Sequence, residues 1–69
     1  MKIVEYLNTL DPKQQVMIVV ENEEGRHLIA DHEAAFLAAS KKRTWRQLEV
    51  VKTVKRMHDI YIVTKRPAS

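Results

Sequence analysis

The spacing of apolar residues changes several times along the chain, and each change marks an element. Ile3, Tyr6, Leu7 and Leu10 recur at steps of three and four, which places them on one face of a helix over Lys2 to Leu10. Asp11-Pro12 ends that helix, because a residue before proline avoids the α region. Gln15 to Glu21 carries Val16, Ile18, Val19 and Val20 in a run too short for a typical helix, and predicts a strand. Asn22-Glu23-Glu24-Gly25 is then a turn, with the chain's single glycine where a hairpin loop needs positive φ. Arg26 to Ala30 is the return strand.

Asp31 is placed to cap a second helix from about His32 to Lys42. Its carboxylate can accept free backbone N–H groups, Glu33 suits the positive end of the helix dipole, and Ala34 to Ala39 are mostly strong helix formers. Thr44-Trp45-Arg46-Gln47 has the form of a capping box, whereas Val50, Val51, Thr53 and Val54 favour a pleated strand. A short helical turn followed by a strand over Glu49 to Arg56 is the expectation. Met57-His58-Asp59 connects it to a last strand, Ile60 to Thr64, and residues 65–69 form a flexible basic tail. The predicted fold is α+β, a small antiparallel sheet of about four strands with two helices in the order α-β-β-α-β-β, as one domain over residues 1–64.

With that layout, in which a helix ending in Leu10-Asp11-Pro12 leads into a β-hairpin, the chain resembles a family of very short uncharacterised proteins from phages and Gram-positive bacteria. The resemblance implies an α+β fold and carries no functional residues.

The strands depart from simple alternation. Val16-Met17-Ile18-Val19-Val20 and Ile60-Tyr61-Ile62-Val63 are apolar on both faces, so both sides of the sheet want cover. Two short helices cover one side. The other must be met by a loop, such as the segment around Trp45, by another subunit, or left open. The expected core is Ile3, Leu7, Val16, Ile18, Leu28, Leu37, Val54, Ile60 and Ile62.

Composition narrows the picture. The chain has 69 residues and no cysteine, so one small core must suffice without disulfides, and self-association is the remaining stabiliser. The absence of thiols fits a cytoplasmic setting, and the first residues, interrupted by Glu5, do not read as a signal peptide. No apolar run approaches the roughly 18 residues of a membrane span.

Catalytic and metal signatures are sparse: there is no phosphate-binding glycine loop and no nucleophile elbow. The cluster His27, Asp31, His32 and Glu33 holds the right residue types but not a ligand spacing, and Asp31 has sufficient work as a cap. Glu21, Glu23 and Glu24 read as a solvated turn and not a calcium loop. No cofactor is expected, and the protein is read as no enzyme.

Charge is the clearest remaining signal. Residues 1–40 carry net −4 and residues 41–69 net +7. Lys41, Lys42, Arg43 and Arg46 around Trp45 form a candidate surface for a nucleic-acid backbone or an acidic partner, with the tryptophan either stacking or completing the core. The expectation is a small binding or accessory protein acting through protein contacts as a homo-oligomer, with nucleic-acid binding through the basic half as the alternative.

Overall fold

A computed structural model describes residues 1–41 and 46–67. Its named elements are α1 (Ile3–Leu7), β1 (Gln15–Asn22), β2 (Gly25–Glu33), α2 (Ala34–Ala39), β3 (Glu49–Lys55) and β4 (Ile60–Lys65). This is the α+β order the sequence predicts. The strands form one sheet in the spatial order β2-β1-β4-β3.

The hairpins β1–β2 and β3–β4 are antiparallel, but the central pair β1–β4 is parallel. The sheet is therefore mixed and not wholly antiparallel. After β2 the chain crosses to the far edge, where β3 enters, and the second hairpin folds inward. That path delivers β4 alongside β1 in the same direction, a long-range outcome that no local pattern encodes.

Helix α1 is shorter than its apolar stripe because the following residues wind into tighter turns. Thr9 and Leu10 donate backbone bonds to Tyr6 and Leu7, at 3.0 and 3.2 Å, and the Thr9 hydroxyl donates to the Tyr6 carbonyl. Ile3 and Leu7, one turn apart, are buried together. Asp11 then accepts the Lys13 N–H through its side chain at 2.8 Å, which sets the turn around Pro12.

That turn also explains why Asp31 is not a helix cap. The N–H groups of Ala34 and Ala35, at the start of α2, donate to the carbonyls of Gln14 and Pro12 at 2.8 and 3.0 Å. The helix end is satisfied by neighbouring backbone, and Glu33 stands at the N-cap with no side-chain bond. Asp31 and His32 are freed to extend β2, whose Glu33 pairs with Gln15. Helix α2 accordingly spans only Ala34–Ala39 where His32 to Lys42 was expected.

The β1–β2 turn behaves as predicted. Asn22 pairs with Gly25, and the Asn22 side-chain oxygen accepts the Glu24 N–H at 2.8 Å. Gly25 has φ +118°, the one positive φ among the described residues. At the other end, Lys65 belongs to β4, paired with Glu49, and not to the tail.

The main core lies between the two helices and one face of the sheet: Ile3, Leu7, Val16, Ile18, Ala34, Leu37, Leu48, Ile60 and Ile62. Seven of the nine expected core residues are in it. Leu28 and Val54 are not: they are 58% and 43% exposed. Leu28 pairs with Val19, and Val54 with Tyr61, which puts both on the face turned away from the helices.

Thr64, on the helix side, is the one buried polar residue described, and its hydroxyl donates to the Val19 carbonyl at 2.7 Å. The start of the chain lies along β3, where Val50 N–H donates to Met1 and Ile3 N–H to Leu48.

Candidate interaction surface

Neither described helix covers the second face of the sheet. Strand register places Gln15 and Glu33 at one end of this face and the rest of its residues in three rows, because directly paired residues share a face. The first row is Asp31, Met17, Tyr61 and Val54. The second is Leu28, Val19, Val63 and Lys52. The third runs from Arg26 and Glu21 to Lys65 and Glu49.

The centre of this face is dry. Val19 and Val63 are 5% and 0% exposed although they lie outside the cluster beneath the helices. Their neighbours in the register on this face include Leu28 and Lys52 in the same row and Met17 and Tyr61 in the next, side chains long enough to lay their stems over apolar surface.

Tyr61 and Arg56 are held together on the same face. The Arg56 guanidinium lies over the Tyr61 ring, 5.1 Å from its centroid, in cation–π geometry. It donates through Nε and Nη2 to both oxygens of Asp59 at 2.6 Å, and through Nη2 to the Met17 sulfur at 3.6 Å. This fork holds the Asp59 carboxyl below the usual carboxylate range, against a smaller opposing effect of desolvation. Arg26 pairs with Glu21 at 2.8 Å and also interacts with Tyr61; Glu21 first, then Tyr61, raises its pKa.

Both edges of the sheet are broken by bulges. Ala30 pairs with Ile18 and Leu28 with Val19, so Ile29 is the extra residue in β2. Val50 pairs with Thr64 and Lys52 with Val63, so Val51 is the extra residue in β3. The bulges account for two exposed aliphatic side chains, Ile29 and Val51, which fall out of alternation. A bulged edge twists away from in-register pairing with another strand.

The sites suggested by the sequence are distributed differently. Lys41 is exposed beyond α2. Arg46 is partly buried, and its guanidinium donates to the carbonyls of Ala38, at 3.1 Å, and of Ser40, at the end of α2. Its charge is therefore engaged in closing a helix C-terminus. Lys42, Arg43 and Trp45 lie outside the described residues.

The other described basic residues of the second half fall on both faces of the sheet. Lys52 and Lys65 share the open face, while Lys55 pairs with Ile60 on the helix side. Both ion pairs among the described residues, Arg26–Glu21 and Arg56–Asp59, lie within one half of the chain. Among the described residues, the basic side chains of the C-terminal half are thus divided between the two faces of the sheet and the end of α2.

The histidine cluster also disperses. His27 pairs with Val20 and faces the helix side, Asp31 is on the open face, and the Gln15 side-chain amide donates to Asp31 at 2.8 Å. His32 stacks on Phe36 with centroids 3.9 Å apart, and its Nδ1 accepts the Glu33 N–H. Together with Ile29 and Leu37 they line a shallow concavity of about 430 Å3. Among the described residues no group of metal-ligating side chains converges, and no helix is long and apolar enough to cross a membrane.

No family model matches the chain, and no curated protein or solved structure is similar to it. The open face was only half legible in sequence: the apolar residues Met17, Val19, Tyr61 and Val63 marked it, but Arg26, Asp31 and Arg56 gave no signal of belonging to it.

Proposed function

We propose that this chain is a non-enzymatic binding module whose working surface is the open face of the sheet and whose partner is a protein. The observation that carries this is the make-up of that face. A dry centre of Val19 and Val63 is flanked by exposed Leu28 and Val54 and by the Tyr61–Arg56 stack. Tyrosine, arginine and methionine beside aliphatic residues are the composition of interface cores.

Charge on the face favours a protein over a nucleic acid. Arg26, Lys52, Arg56 and Lys65 are set among Glu21, Asp31, Glu33, Glu49 and Asp59, so no positive field is presented to phosphates. The cysteine-free composition supports a cytoplasmic setting for such a module.

Immobilised protein tests the reading against extract from the native host. Leu28→Lys and Val54→Lys should abolish retention of whatever wild type retains, while Phe36→Lys, on the helix side, should not. Equal retention by all three would refute it. The nucleic-acid alternative rests on the +7 balance of residues 41–69. It predicts salt-sensitive amide shifts around Lys41 on adding oligonucleotide, with the open face undisturbed.

A further inference from the structure

We propose that the channel between the free edge of β2 and helix α2 is a second binding site, which takes a short extended peptide segment by strand addition. The segment it fits alternates basic and large apolar residues. This site lies beside the open face, and its test is independent of the reading above.

The concavity that holds the His32–Phe36 stack is lined by Ile29, Ala30, Asp31 and His32, successive residues of β2, and by Phe36 and Leu37 of α2. Successive side chains of a strand point to opposite faces, so such a run borders one space only along the strand's edge, where the backbone lies. On its other edge β2 meets β1, and on this one it meets no strand. The far wall is α2, whose Phe36 is 60% exposed, and Ile29 at the bulge is 42% exposed. Unpaired strand backbone beside exposed apolar side chains suits an extended peptide: main-chain bonds supply affinity, and pockets for alternate side chains supply specificity.

Hydrogen bonding identifies the backbone groups on offer. Glu33 N–H donates to His32 Nδ1 at 2.8 Å and therefore points away from β1. Bonding direction alternates along a strand, so the N–H and C=O of Asp31, two residues earlier, also point outward. Among the described residues neither has a partner on that side. A residue laid against Asp31 can exchange both bonds with it, as hydrogen-bonded pairs do in an antiparallel ladder. The bulge at Ile29 confines regular pairing to residues 30–33, which oppose Ile18 to Gln15 on β1. That stretch is poorly suited to the edge of another sheet, which bulges deter, but it suffices for a short peptide.

Charge sets the rest of the occupant. The side chains of Asp31 and Glu33 are exposed on the open-face side of this edge. A residue paired with Asp31 puts its side chain beside a carboxylate and is favoured when basic. Its neighbours in the segment point the other way, toward Phe36 and Leu37, and are favoured when large and apolar.

The probe is an acetylated, amidated peptide of sequence threonine-valine-lysine-phenylalanine-lysine-valine-threonine, titrated to about 5 mM to cover weak binding. Amide shifts in NMR spectra should saturate in β2 and α2, and hydrogen exchange at Asp31 N–H should slow. Replacing the phenylalanine by alanine should weaken binding about tenfold to a hundredfold, the usual effect of losing one buried large apolar side chain. Methylating the lysine amides should abolish binding, whereas methylating the phenylalanine amide, which points away from β2, should not. These comparisons use wild-type protein, so no variant's folding enters them. On the protein, Phe36→Ser should weaken binding as the alanine peptide does. Asp31→Lys combined with Glu33→Lys should reverse preference toward the same peptide with glutamate in place of lysine. Val54→Lys, on the open face at the far edge, should bind as wild type does. So small a contact dissociates during washing and adds nothing to retention on immobilised protein.

No saturable shifts in β2 and α2, equal effects of the two methylations, or indifference to Phe36→Ser would overturn the site. Loss of binding on Val54→Lys would overturn it in favour of the open face. Slowed exchange at Asp31 N–H that follows protein concentration without peptide would overturn it by giving the edge to a second copy.

Discussion

Leucine to alanine at two positions, Leu7 and Leu28, applies one chemical change to the two sides of the same sheet. Leu7 sits on α1 against the main core and is 2% exposed; Leu28 sits on the open face and is 58% exposed. Removing a leucine side chain down to Cβ deletes three carbon atoms, worth about 0.8 kcal/mol each when fully buried. At Leu7 that transfer loss is joined by the cavity left behind, which brings the total to about 3 to 4 kcal/mol. At Leu28 more than half of the side chain is already in water and no enclosed cavity forms, so the cost is about 1 kcal/mol or less. A chain of this length has a total stability of about 3 to 10 kcal/mol, so Leu7→Ala consumes much of it and Leu28→Ala little. Urea unfolding followed by far-ultraviolet circular dichroism gives both values. The protein must be pure and dilute, since Leu28 also lies in the proposed interface and association would add to apparent stability. Equal losses at the two positions would refute the one-sided core, because Leu28 would then have to be buried by its own chain. A loss under about 1 kcal/mol at Leu7 would show that α1 is not docked on the sheet.

Three further substitutions probe separate features. Gly25→Ala meets no atom within 4 Å, so its cost is the φ of +118° alone, expected at about 1 to 2 kcal/mol in the same unfolding assay. A neutral result would mean that the turn relaxes to negative φ. Thr64→Val keeps the shape but removes the hydroxyl that donates to Val19, and should cost about 1 kcal/mol, where a stabilised protein would show that bond to be dispensable. Asp59 has its pKa lowered by Arg56, so the pair contributes stability above the unfolded carboxylate pKa and loses it as pH falls through the lower folded value. Carboxyl titration by NMR should find Asp59 below the usual range in wild type and returned toward it in Arg56→Ala; no change on that substitution would assign the shift to another cause.

The elements themselves were legible because their signals are local. The β-branched run from Val16 to Val20, the proline after Asp11 and the single glycine at position 25 each restrict backbone dihedrals within a few residues. Strand Glu49–Lys55 was ambiguous for the same reason: its propensities favoured β while the capping-box pattern before it suggested a helix, and pairing with β4 settled it. Periodicity also placed Ile3, Leu7, Ile18 and Ile62 in the core, since each element has one side that can face the helix layer.

What sequence could not decide was which neighbour each element meets. Asp31 has the chemistry of a cap, but the carbonyls of Pro12 and Gln14, about twenty residues earlier in the chain, reach the N–H groups of α2 first. Leu28 and Val54 look like core by composition, yet register turns them to the open face, because one inserted residue in a strand reverses the side on which everything beyond it points. Arg56 and Arg26, unremarked members of a basic and an acidic half, both reach Tyr61 because β1 and β4 lie parallel at the centre of the sheet. Local dihedral preference is written residue by residue, whereas the exposure of a side chain and the company it keeps depend on pairings between distant segments, and those are fixed only when the whole sheet closes.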